Sequence, residues 1–246
     1  MLRKDVSVSK RKSTQFVVAL FSVLAFSLGS SGTEAQGELF FGKAVNSEGS
    51  LEYSEYHTVT YIDGKVSESQ TIYYDANQNK IGELVSEYSF GSQFGSYDFL
   101  DRRAQYQDGA KVGLDRIWLF RKQSPEAPLE DKYLVKEDNQ IVGQGFHQFI
   151  VHNLEQIAQG EIFQVLMVLP SRLDQYEFRI SKQKIEDDTI FIRLEVDNWL
   201  LRLFAPHIDV EYDLRTRHLL RYKGVSNLED IQGKHKEVTI TYSYES

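Results

Sequence analysis

The stretch that decides the fold class is 175–197, QYEFRISKQKIEDDTIFIRLEVD. Apolar and polar residues alternate on both sides of the acidic triplet EDD, which predicts two half-buried β-strands joined by a three-residue turn. With that turn, Arg179 lies opposite Glu195 on the polar face. Ile180 then faces Leu194 on the apolar face. A slip of one residue would set an isoleucine against a glutamate, so the pattern itself selects the register.

The same alternation continues along most of the chain after residue 52 and is clearest at 207–214. Asp63-Gly64 and Asp108-Gly109 are predicted to be tight hairpin turns, because glycine accepts the positive φ of a primed turn. Short turns between successive runs predict a mainly β protein, an antiparallel meander of about eleven strands that curves into a half-barrel or barrel. The predicted strands are near 52–62, 66–74, 81–90, 97–106, 110–121, 162–169, 174–185, 189–197, 207–214, 217–225 and 236–244.

Between Gly143 and Gly160 the period changes to that of a helix. The apolar residues recur every three or four positions, and Gly160 is placed to end the helix. We therefore predict one central amphipathic helix over residues 144–159, wrapped by the curved sheet. Its apolar residues are Phe146, Phe149, Ile150, Leu154, Ile157 and Ala158.

The first 35 residues have the layout of a secretory signal peptide. A basic start (Arg3 to Lys12) is followed by an uncharged apolar run, 16–28, and then by small residues up to Ala35. The apolar run is shorter than the roughly 20 residues that span a bilayer, so cleavage near Ala35 is favoured over an uncleaved anchor. The interpretation is a signal peptide, 1–35, followed by a single β-rich domain, 36–246, in the periplasm or secreted.

Composition excludes several classes of function. The chain has no cysteine, which rules out disulfides, lipid attachment through cysteine, thiol catalysis and cysteine-bound metals. The predicted mature domain carries 23 Lys and Arg against 34 Asp and Glu, a net charge of −11. Nonspecific binding of nucleic acid needs a basic surface, so we expect no nucleic-acid partner.

No pattern predicts catalysis, a metal or a cofactor. His147 and His152 are five residues apart, about 140° around a helix, whereas a zinc pair needs a spacing of four. A polar contact of His147 with a loop or ligand is the alternative. His207, Asp209 and neighbouring acids share one strand face that could bind a hard cation, but the opposite face is fully apolar, which favours a solvated surface.

The apolar segment 198–206 suggests a ligand site. It is NWLLRLFAP, which contains one charge, Arg202. It could form a short helix, a bent continuation of the strand or a loop that dips into the barrel. The late arginines mostly stand beside acids on polar strand faces, which predicts cross-strand ion pairs. Arg202 instead interrupts apolar sequence and is the candidate for a polar head group. The candidate ligand-binding residues are Phe146, Phe149, Trp199, Leu200, Arg202, Leu203 and Phe204.

An exported, cysteine-free chain of about eleven consecutive antiparallel strands resembles the periplasmic lipoprotein-carrier family in architecture. That resemblance implies an incomplete β-barrel whose hollow is covered by helices and holds acyl chains. This chain differs in offering one helix where the carriers have several. The resemblance supports a soluble periplasmic protein that binds a hydrophobic small molecule or lipid.

Two alternatives stay open at this stage. The concave face could be packed solid, in which case the protein would act in the cell envelope through contacts with other proteins. An outer-membrane β-barrel would also show alternating strands. Against it, the chain ends Tyr244-Glu245-Ser246 rather than on an aromatic residue.

Overall fold

The computed structural model of the protein describes residues 35–198, 207–229 and 235–245. Within these ranges it contains one sheet of fifteen strands, two short α-helices and one 3₁₀ turn. The strands are β1 (Ala35–Val45), β2 (Leu51–Ile62), β3 (Lys65–Tyr74), β4 (Lys80–Glu87), β5 (Ser96–Asp101), β6 (Tyr106–Val112), β7 (Arg116–Lys122), β8 (Glu130–Val135), β9 (Gln140–Val142), β10 (Phe163–Leu169), β11 (Asp174–Glu186), β12 (Thr189–Val196), β13 (Ile208–Asp213), β14 (Leu219–Glu229) and β15 (His235–Tyr244). The helices are α1 (Gly145–His152) and α2 (Leu154–Gln159), and the 3₁₀ turn is Pro170–Arg172.

The prediction of a mainly β protein is confirmed, but about eleven strands is too few. Three strands were not predicted, namely β1, β8 and β9. β1 has a run of three apolar residues instead of alternation, and β9 has only three residues. The predicted strand over 110–121 is also wrong, because the chain turns within it and gives the end of β6 and most of β7.

Strand order in the sheet follows the chain in two runs. β1 to β8 are neighbours in sequence order, β15 back to β9 form the second run, and β1 pairs with β15 where the runs meet. All pairs are antiparallel except β9 with β10, which are parallel. The two ends of the described chain therefore lie side by side in the middle of the sheet, with Phe40 opposite Tyr244.

Chain connectivity forces the sheet to curve round on itself. The outermost strands, β8 and β9, are consecutive in the chain and are separated only by residues 136–139. Such a linker spans at most about 18 Å, whereas a flat sheet of this many strands would be about 65 Å wide. The sheet is open in its hydrogen bonding, but its two ends meet.

The two ends also overlap, because β9 and β10 are buried on both faces. Ile141 and Val165 pack in one apolar cluster with the helices. Val142 of β9 and Val168 of β10 lie on the opposite face and pack in a second cluster, against strands β4 to β7. One end of the sheet thus lies inside the other, like the inner turn of a spiral, and fills the concave face of the β4–β8 half.

Side chains hold the overlapping ends together. The Arg121 guanidinium donates to the carbonyl oxygen of Ser171 in the 3₁₀ turn, at 2.7 Å. Lys132 Nζ of β8 donates to the Asp174 carboxylate of β11, at 3.0 Å. Gln140 Nε2 donates to the main-chain oxygen of Val135, at 2.9 Å. These side-chain hydrogen bonds join the two ends of the sheet, whereas backbone hydrogen bonds join neighbouring strands elsewhere.

The predicted helix over 144–159 is present as two short helices that break at Asn153. The Asn153 side chain donates to the carbonyl oxygen of Phe149 at 2.8 Å, in addition to the Asn153 main-chain N–H, which donates to the same oxygen at 3.1 Å. Gly160 ends α2 in the left-handed conformation, φ 100°, as predicted. The pair forms the crossover that parallel strands β9 and β10 require.

The predicted details of the strands have mixed outcomes. The pairing of Arg179 with Glu195 and of Ile180 with Leu194 is confirmed. The predicted three-residue turn is wrong, because Glu186 pairs with Thr189 and the turn has two residues; an irregularity between Lys182 and Lys184 restores the predicted register. Asp63-Gly64 forms the tight turn between β2 and β3, with φ of 50° and 70°. Asp108-Gly109 is not a turn, because both residues lie inside β6.

Candidate functional site

Phe146 and Phe149 are the predicted ligand-binding residues that the structure describes. Both lie on α1, are half-buried and pack against the apolar cluster beneath the helices. The rings of Phe149 and Phe163 meet edge to face, with their centroids 5.4 Å apart. The other predicted residues, Trp199, Leu200, Arg202, Leu203 and Phe204, lie outside the described part of the chain. The signal segment 1–34 also lies outside it.

The helices cover an apolar face of the sheet, and we call this half of the interior the helix chamber. Its floor is formed by side chains of β11, β12 and β13 that are all nearly inaccessible to solvent: Ile180, Ile190, Ile192, Leu194 and Val210. From above, α1 and α2 insert Ile150, Leu154 and Ile157. The half-buried margin is aromatic, with Phe146, Phe149, Phe163 and Phe178 packed around this centre.

A chain of polar side chains crosses the inner face beside the helix chamber. Gln144, at the start of α1, does not cap the helix with its side chain. Its amide instead reaches the sheet, where Nε2 donates to Thr71 Oγ1 at 2.8 Å. The amide oxygen accepts from Ser69 Oγ at 2.6 Å. One side chain therefore joins the helix to two hydroxyl groups of β3.

The hydrogen bonds of this polar chain have one consistent direction. The Glu55 carboxylate only accepts, so His57 Nε2 carries the proton that joins them at 2.9 Å. In the tautomer with its proton on Nε2, the His57 ring accepts from Thr71 Oγ1 at Nδ1, at 2.9 Å. At the other end, Ser69 gives its proton to Gln144, so its oxygen accepts from the Tyr88 hydroxyl at 3.2 Å. Each internal member therefore both gives and receives.

The carboxylate end of the polar chain is tightly enclosed. Glu55 is 5% exposed, although its strand neighbours on the same face are apolar or aromatic. Tyr242 donates a second hydrogen bond to Glu55 Oε2, at 3.1 Å. Gly42 lies over both groups, and a methyl group there would stand 2.8 Å from Glu55 Oε2 and 2.9 Å from the Tyr242 ring. A side chain at this position would therefore force the Glu55 and Tyr242 groups to shift.

The Glu55 charge acts on the tyrosines around it. Burial raises the pKa of Tyr242, Tyr53 and Tyr222 well above the ordinary value, and the nearby Glu55 carboxylate raises each further. These phenols therefore stay protonated and can serve as hydrogen-bond donors, as Tyr222 does to the carbonyl oxygen of Val225, at 2.8 Å. The interior at this point thus places protonated phenols around the Glu55 carboxyl group.

Four aromatic rings stack in a column that leads from the polar chain toward the rim of the sheet. His57 stacks on Phe40 with centroids 4.2 Å apart, and Phe40 stacks on Tyr244 at 4.9 Å. Tyr244 in turn stacks on His218, at 3.8 Å. His218 is partly exposed and lies 3.6 Å from Glu38. A histidine beside a carboxylate thus stands at each end of the column.

His147 makes the second polar contact between α1 and the sheet. Its Nδ1 lies 2.9 Å from the hydroxyl of Tyr212 on β13. Burial, together with the proximity of His57 and His218, lowers the pKa of His147 to about 4. The ring is therefore neutral near pH 7. The predicted polar contact of His147 is made to a strand, whereas His152 is exposed at the other end of α1.

The arrangement of Glu55, His57 and Thr71 has the composition of a proton relay, a carboxylate, an imidazole and a hydroxyl. Thr71 is wholly buried beneath Gln144, so no substrate reaches its oxygen in this conformation. What the relay does here is position α1 on the sheet. Within the described residues no cluster of three or more His, Asp or Glu side chains could hold a metal ion.

The outer face of the sheet carries the predicted ion pairs. Arg193 binds Asp209 with two hydrogen bonds of 2.7 and 2.9 Å, and Arg179 contacts Glu195 at 2.6 Å. Arg221 lies 3.5 Å from Glu211. A shallow groove of about 260 Å³ on this face is lined in part by Arg193, Asp209, Glu211 and Arg221. Of the acids that could have bound a cation, Asp209 and Glu211 are engaged with arginines, and Asp213 accepts from the main-chain N–H groups of the turn that follows it.

Sequence reasoning missed the polar chain, although the sequence carries a signal for it. Glu55, His57, Ser69 and Thr71 occupy positions at which the period of two predicts apolar side chains. Tyr53, Val59 and Tyr73 fill the flanking positions on the same faces. Polar residues in the apolar register of two neighbouring strands indicate a buried polar network.

Comparison with known proteins assigns the chain to no family. No protein-family model matches the chain, and no curated protein matches it. Among solved structures, it is similar to the crystal structure of a β-barrel-like protein of a domain of unknown function, DUF1849, from Brucella abortus. That match has a TM-score of 0.39 and 8% identity, and covers 85% of this chain and 98% of that chain. None of these comparisons links the chain to the lipoprotein carriers. No helix among the described residues is long and apolar enough to span a membrane.

Proposed function

We propose that the protein is an exported, non-enzymatic protein of the periplasm or the extracellular space, and that it binds a lipid-like or other hydrophobic ligand. The observation that carries this proposal is the helix chamber, an apolar floor closed by two short helices with a half-buried aromatic margin. The signal-like segment 1–35 supports export. The paired charges of the outer face support a surface that is in contact with water.

The ligand site would combine the chamber margin with the segment that follows β12. Phe146 and Phe149 offer half-buried rings to an apolar ligand. From the sequence alone, Trp199, Leu200, Leu203 and Phe204 would add to the apolar lining, and Arg202 would meet a polar head group. β12, which precedes this segment, contributes Ile192 and Leu194 to the chamber floor.

Uptake of a fluorescent fatty acid tests the proposal. We expect saturable binding to the purified protein, and a copurifying lipid in native mass spectrometry. Replacing both Phe146 and Phe149 by alanine should weaken uptake by about tenfold or more, since each truncation removes apolar contact area. Phe191→Ala is the matched control, because that ring lies on the outer face against Lys184.

The proposal fails if the protein binds no probe and carries no lipid. It also fails if Phe191→Ala weakens uptake as much as the double change on α1, because binding would then not involve the chamber.

The second candidate is an envelope protein that acts through protein contacts, with an interior closed to ligands. The observation that favours it is the filling of the β4–β8 half by β9, β10 and the 3₁₀ turn, which leaves Val142 and Val168 deeply buried. Crosslinking in cells would then capture a partner protein, while the purified protein would take up no fatty acid.

A further inference from the structure

β8 forms an open edge of the sheet. It pairs with β7 on one side, and within the described ranges no strand pairs with its other side. β9, at the opposite end of the sheet, is by contrast bridged to Phe94 on its outer side. An unpaired strand edge is a template on which another strand can add. β8 is therefore the place at which the sheet can be extended.

Alternate main-chain groups of β8 point away from the sheet. The Lys136 N–H, just after the strand, donates to the carbonyl oxygen of Asp115 on the β7 side, at 3.0 Å. Hydrogen-bonded and non-hydrogen-bonded pairs alternate along an antiparallel ladder, so every second residue before Lys136 also bonds to β7. The residues whose N–H and C=O groups point outward are then Asp131, Tyr133 and Val135.

The outer face beside this edge is aromatic and exposed. Tyr133 is 59% exposed and Val135 is 74% exposed. Trp118 lies opposite Tyr133, and its Nε1 donates to Asp131 Oδ2 at 2.7 Å. The Arg116 guanidinium lies 5.9 Å from the centroid of the Tyr133 ring. Trp, Tyr and Arg are the residue types that contribute most to binding at protein interfaces, so this edge has the composition of a contact surface.

The charges of β8 restrict how the strand could pair with a second copy of itself. Two identical antiparallel strands are related by a two-fold axis, and the residue on that axis faces its own copy. An axis at Lys132 would set two lysines opposite each other, and an axis at Asp131 would set two aspartates opposite each other. An axis at Leu134 would set Lys132 opposite Lys136. Like charges directly opposite one another destabilise a strand pair, which disfavours these three registers.

An axis at Tyr133 places no like charges opposite each other. It sets Glu130 of each copy opposite Lys136 of the other, which gives two pairs of opposite charge. Lys136 Nζ lies 4.5 Å from the centroid of the Phe94 ring, and in the described part of the chain no oxygen accepts a hydrogen bond from it. Glu130 also binds Arg121, at 2.8 Å, and a carboxylate can accept from further donors.

We propose that two copies of this chain pair through β8 about a two-fold axis at Tyr133 and so join their sheets into one. The outward main-chain groups of Asp131, Tyr133 and Val135 then form about six hydrogen bonds with those of the second copy. On the outer face the two Tyr133 rings lie side by side between the two Trp118 rings. This inference does not rest on the proposed function.

Single cysteines test the register of the dimer. The chain has no cysteine, so Tyr133→Cys gives each copy one thiol, with the two Cα atoms about 5.5 Å apart across the axis. That distance suits a disulfide. Asp131→Cys is the matched control on the same strand and face, because its two copies would lie about 14 Å apart along the pair. At micromolar protein under mild oxidation, we expect Tyr133→Cys to form a covalent dimer at least tenfold faster than Asp131→Cys.

A charge exchange tests the pairing without a crosslink. Glu130→Lys and Lys136→Glu each place like charges opposite each other at both ends of the strand pair. Each variant alone should dimerise at least tenfold more weakly than the parent in sedimentation velocity. An equimolar mixture of the two again sets opposite charges together, so it should form a heterodimer as tight as the parent dimer. A folding defect in either variant would not produce that recovery.

The results that would overturn the proposal are equally specific. A parent protein that stays monomeric at high micromolar concentration excludes the dimer, and the open edge would then be left to a strand of another protein. Equal rates of crosslinking for Tyr133→Cys and Asp131→Cys would show random collision. A mixture of Glu130→Lys and Lys136→Glu that stays monomeric, or single variants that dimerise as tightly as the parent, would contradict the axis at Tyr133.

Discussion

At the scale of single residues, the interior is defined by polar side chains in positions that the strand pattern reserves for apolar ones. Glu55 and His57 are held on the inner face by one another and by Tyr242 and Thr71. A buried carboxylate without such partners would be costly. The cluster therefore depends on close packing around it as well as on its hydrogen bonds.

Gly42→Ala tests this specificity. The added methyl group stands 2.8 Å from Glu55 Oε2 and 2.9 Å from the Tyr242 ring, so the pair must shift. We expect a loss of about 1–3 kcal/mol in the free energy of unfolding, measured by urea denaturation. Gly37→Ala on the same strand is the control, because no atom lies within 4 Å of its added methyl. Equal losses in the two variants would contradict the packing described for Gly42.

The buried carboxyl group of Asp108 should make the free energy of unfolding depend on pH. Burial raises its pKa to about 7, partly offset by the hydrogen bond that Tyr106 donates at 2.8 Å. The folded state thus keeps a proton that the unfolded chain releases near pH 4, so this group makes the protein less stable as the pH rises from about 4 to 7. At pH 8, Asp108→Asn should raise the free energy of unfolding by about 1–3 kcal/mol.

The control for Asp108→Asn is Asp98→Asn, which removes an exposed carboxylate of the neighbouring strand. That change should alter the free energy of unfolding by less than about 0.5 kcal/mol. At pH 4 the advantage of Asp108→Asn should vanish. A variant that is no more stable than the parent at pH 8 would show that Asp108 is ionised at little cost.

At the scale of elements, the alternation of apolar and polar residues predicted the strands that have one solvent-exposed face. It missed the strands that lack this contrast. The hairpin of β11 and β12 was predictable in register, because charges mark one face and isoleucines the other. β1 and β8 lack such a contrast. The Asp108-Gly109 dipeptide misled because the space above Gly109 is filled: a methyl group there would stand 2.3 Å from the Tyr97 carbonyl oxygen and 2.5 Å from Phe120. Here glycine serves close packing rather than a turn.

The polar chain and the overlap of the sheet ends required contacts that are distant in sequence. Gln144 meets Ser69 and Thr71 across more than 70 residues. One local signal did exist for the overlap: Val165 to Leu169 is an unbroken apolar run, which is typical of a strand buried on both faces. Nothing local indicates which strands cover it.

β10 is the element that tests the overlap. Val165 faces the helix chamber and Val168 faces β7, and each is 3% exposed. We expect Val165→Ala and Val168→Ala each to lower the free energy of unfolding by about 1–3 kcal/mol, measured in urea. Val135→Ala, on exposed β8, should change it by less than about 0.5 kcal/mol. A strand covered on one side only would show the loss at one of the two valines.

At the scale of the whole molecule, the pairing of β1 with β15 joins the two runs of strands. Six residue pairs link them, from Phe40 opposite Tyr244 to Val45 opposite Thr239. Without β15, both β1 and β14 would present unpaired edges in the middle of the sheet.

Truncation tests this role of β15. A chain that ends at residue 234 should lose cooperative unfolding and aggregate, as measured by circular dichroism and light scattering. A chain that lacks only Glu245 and Ser246 is the control and should unfold like the parent. A cooperative transition in the longer truncation would mean that the two runs of strands fold independently.

The same pairing has a consequence for the order of events in the life of the chain. β1 is synthesised before its partner β15, which lies about 200 residues later in the chain. Until β15 has been made, one edge of β1 stays unpaired. Joining of the two runs of strands through β1 and β15 therefore comes after both runs have been synthesised.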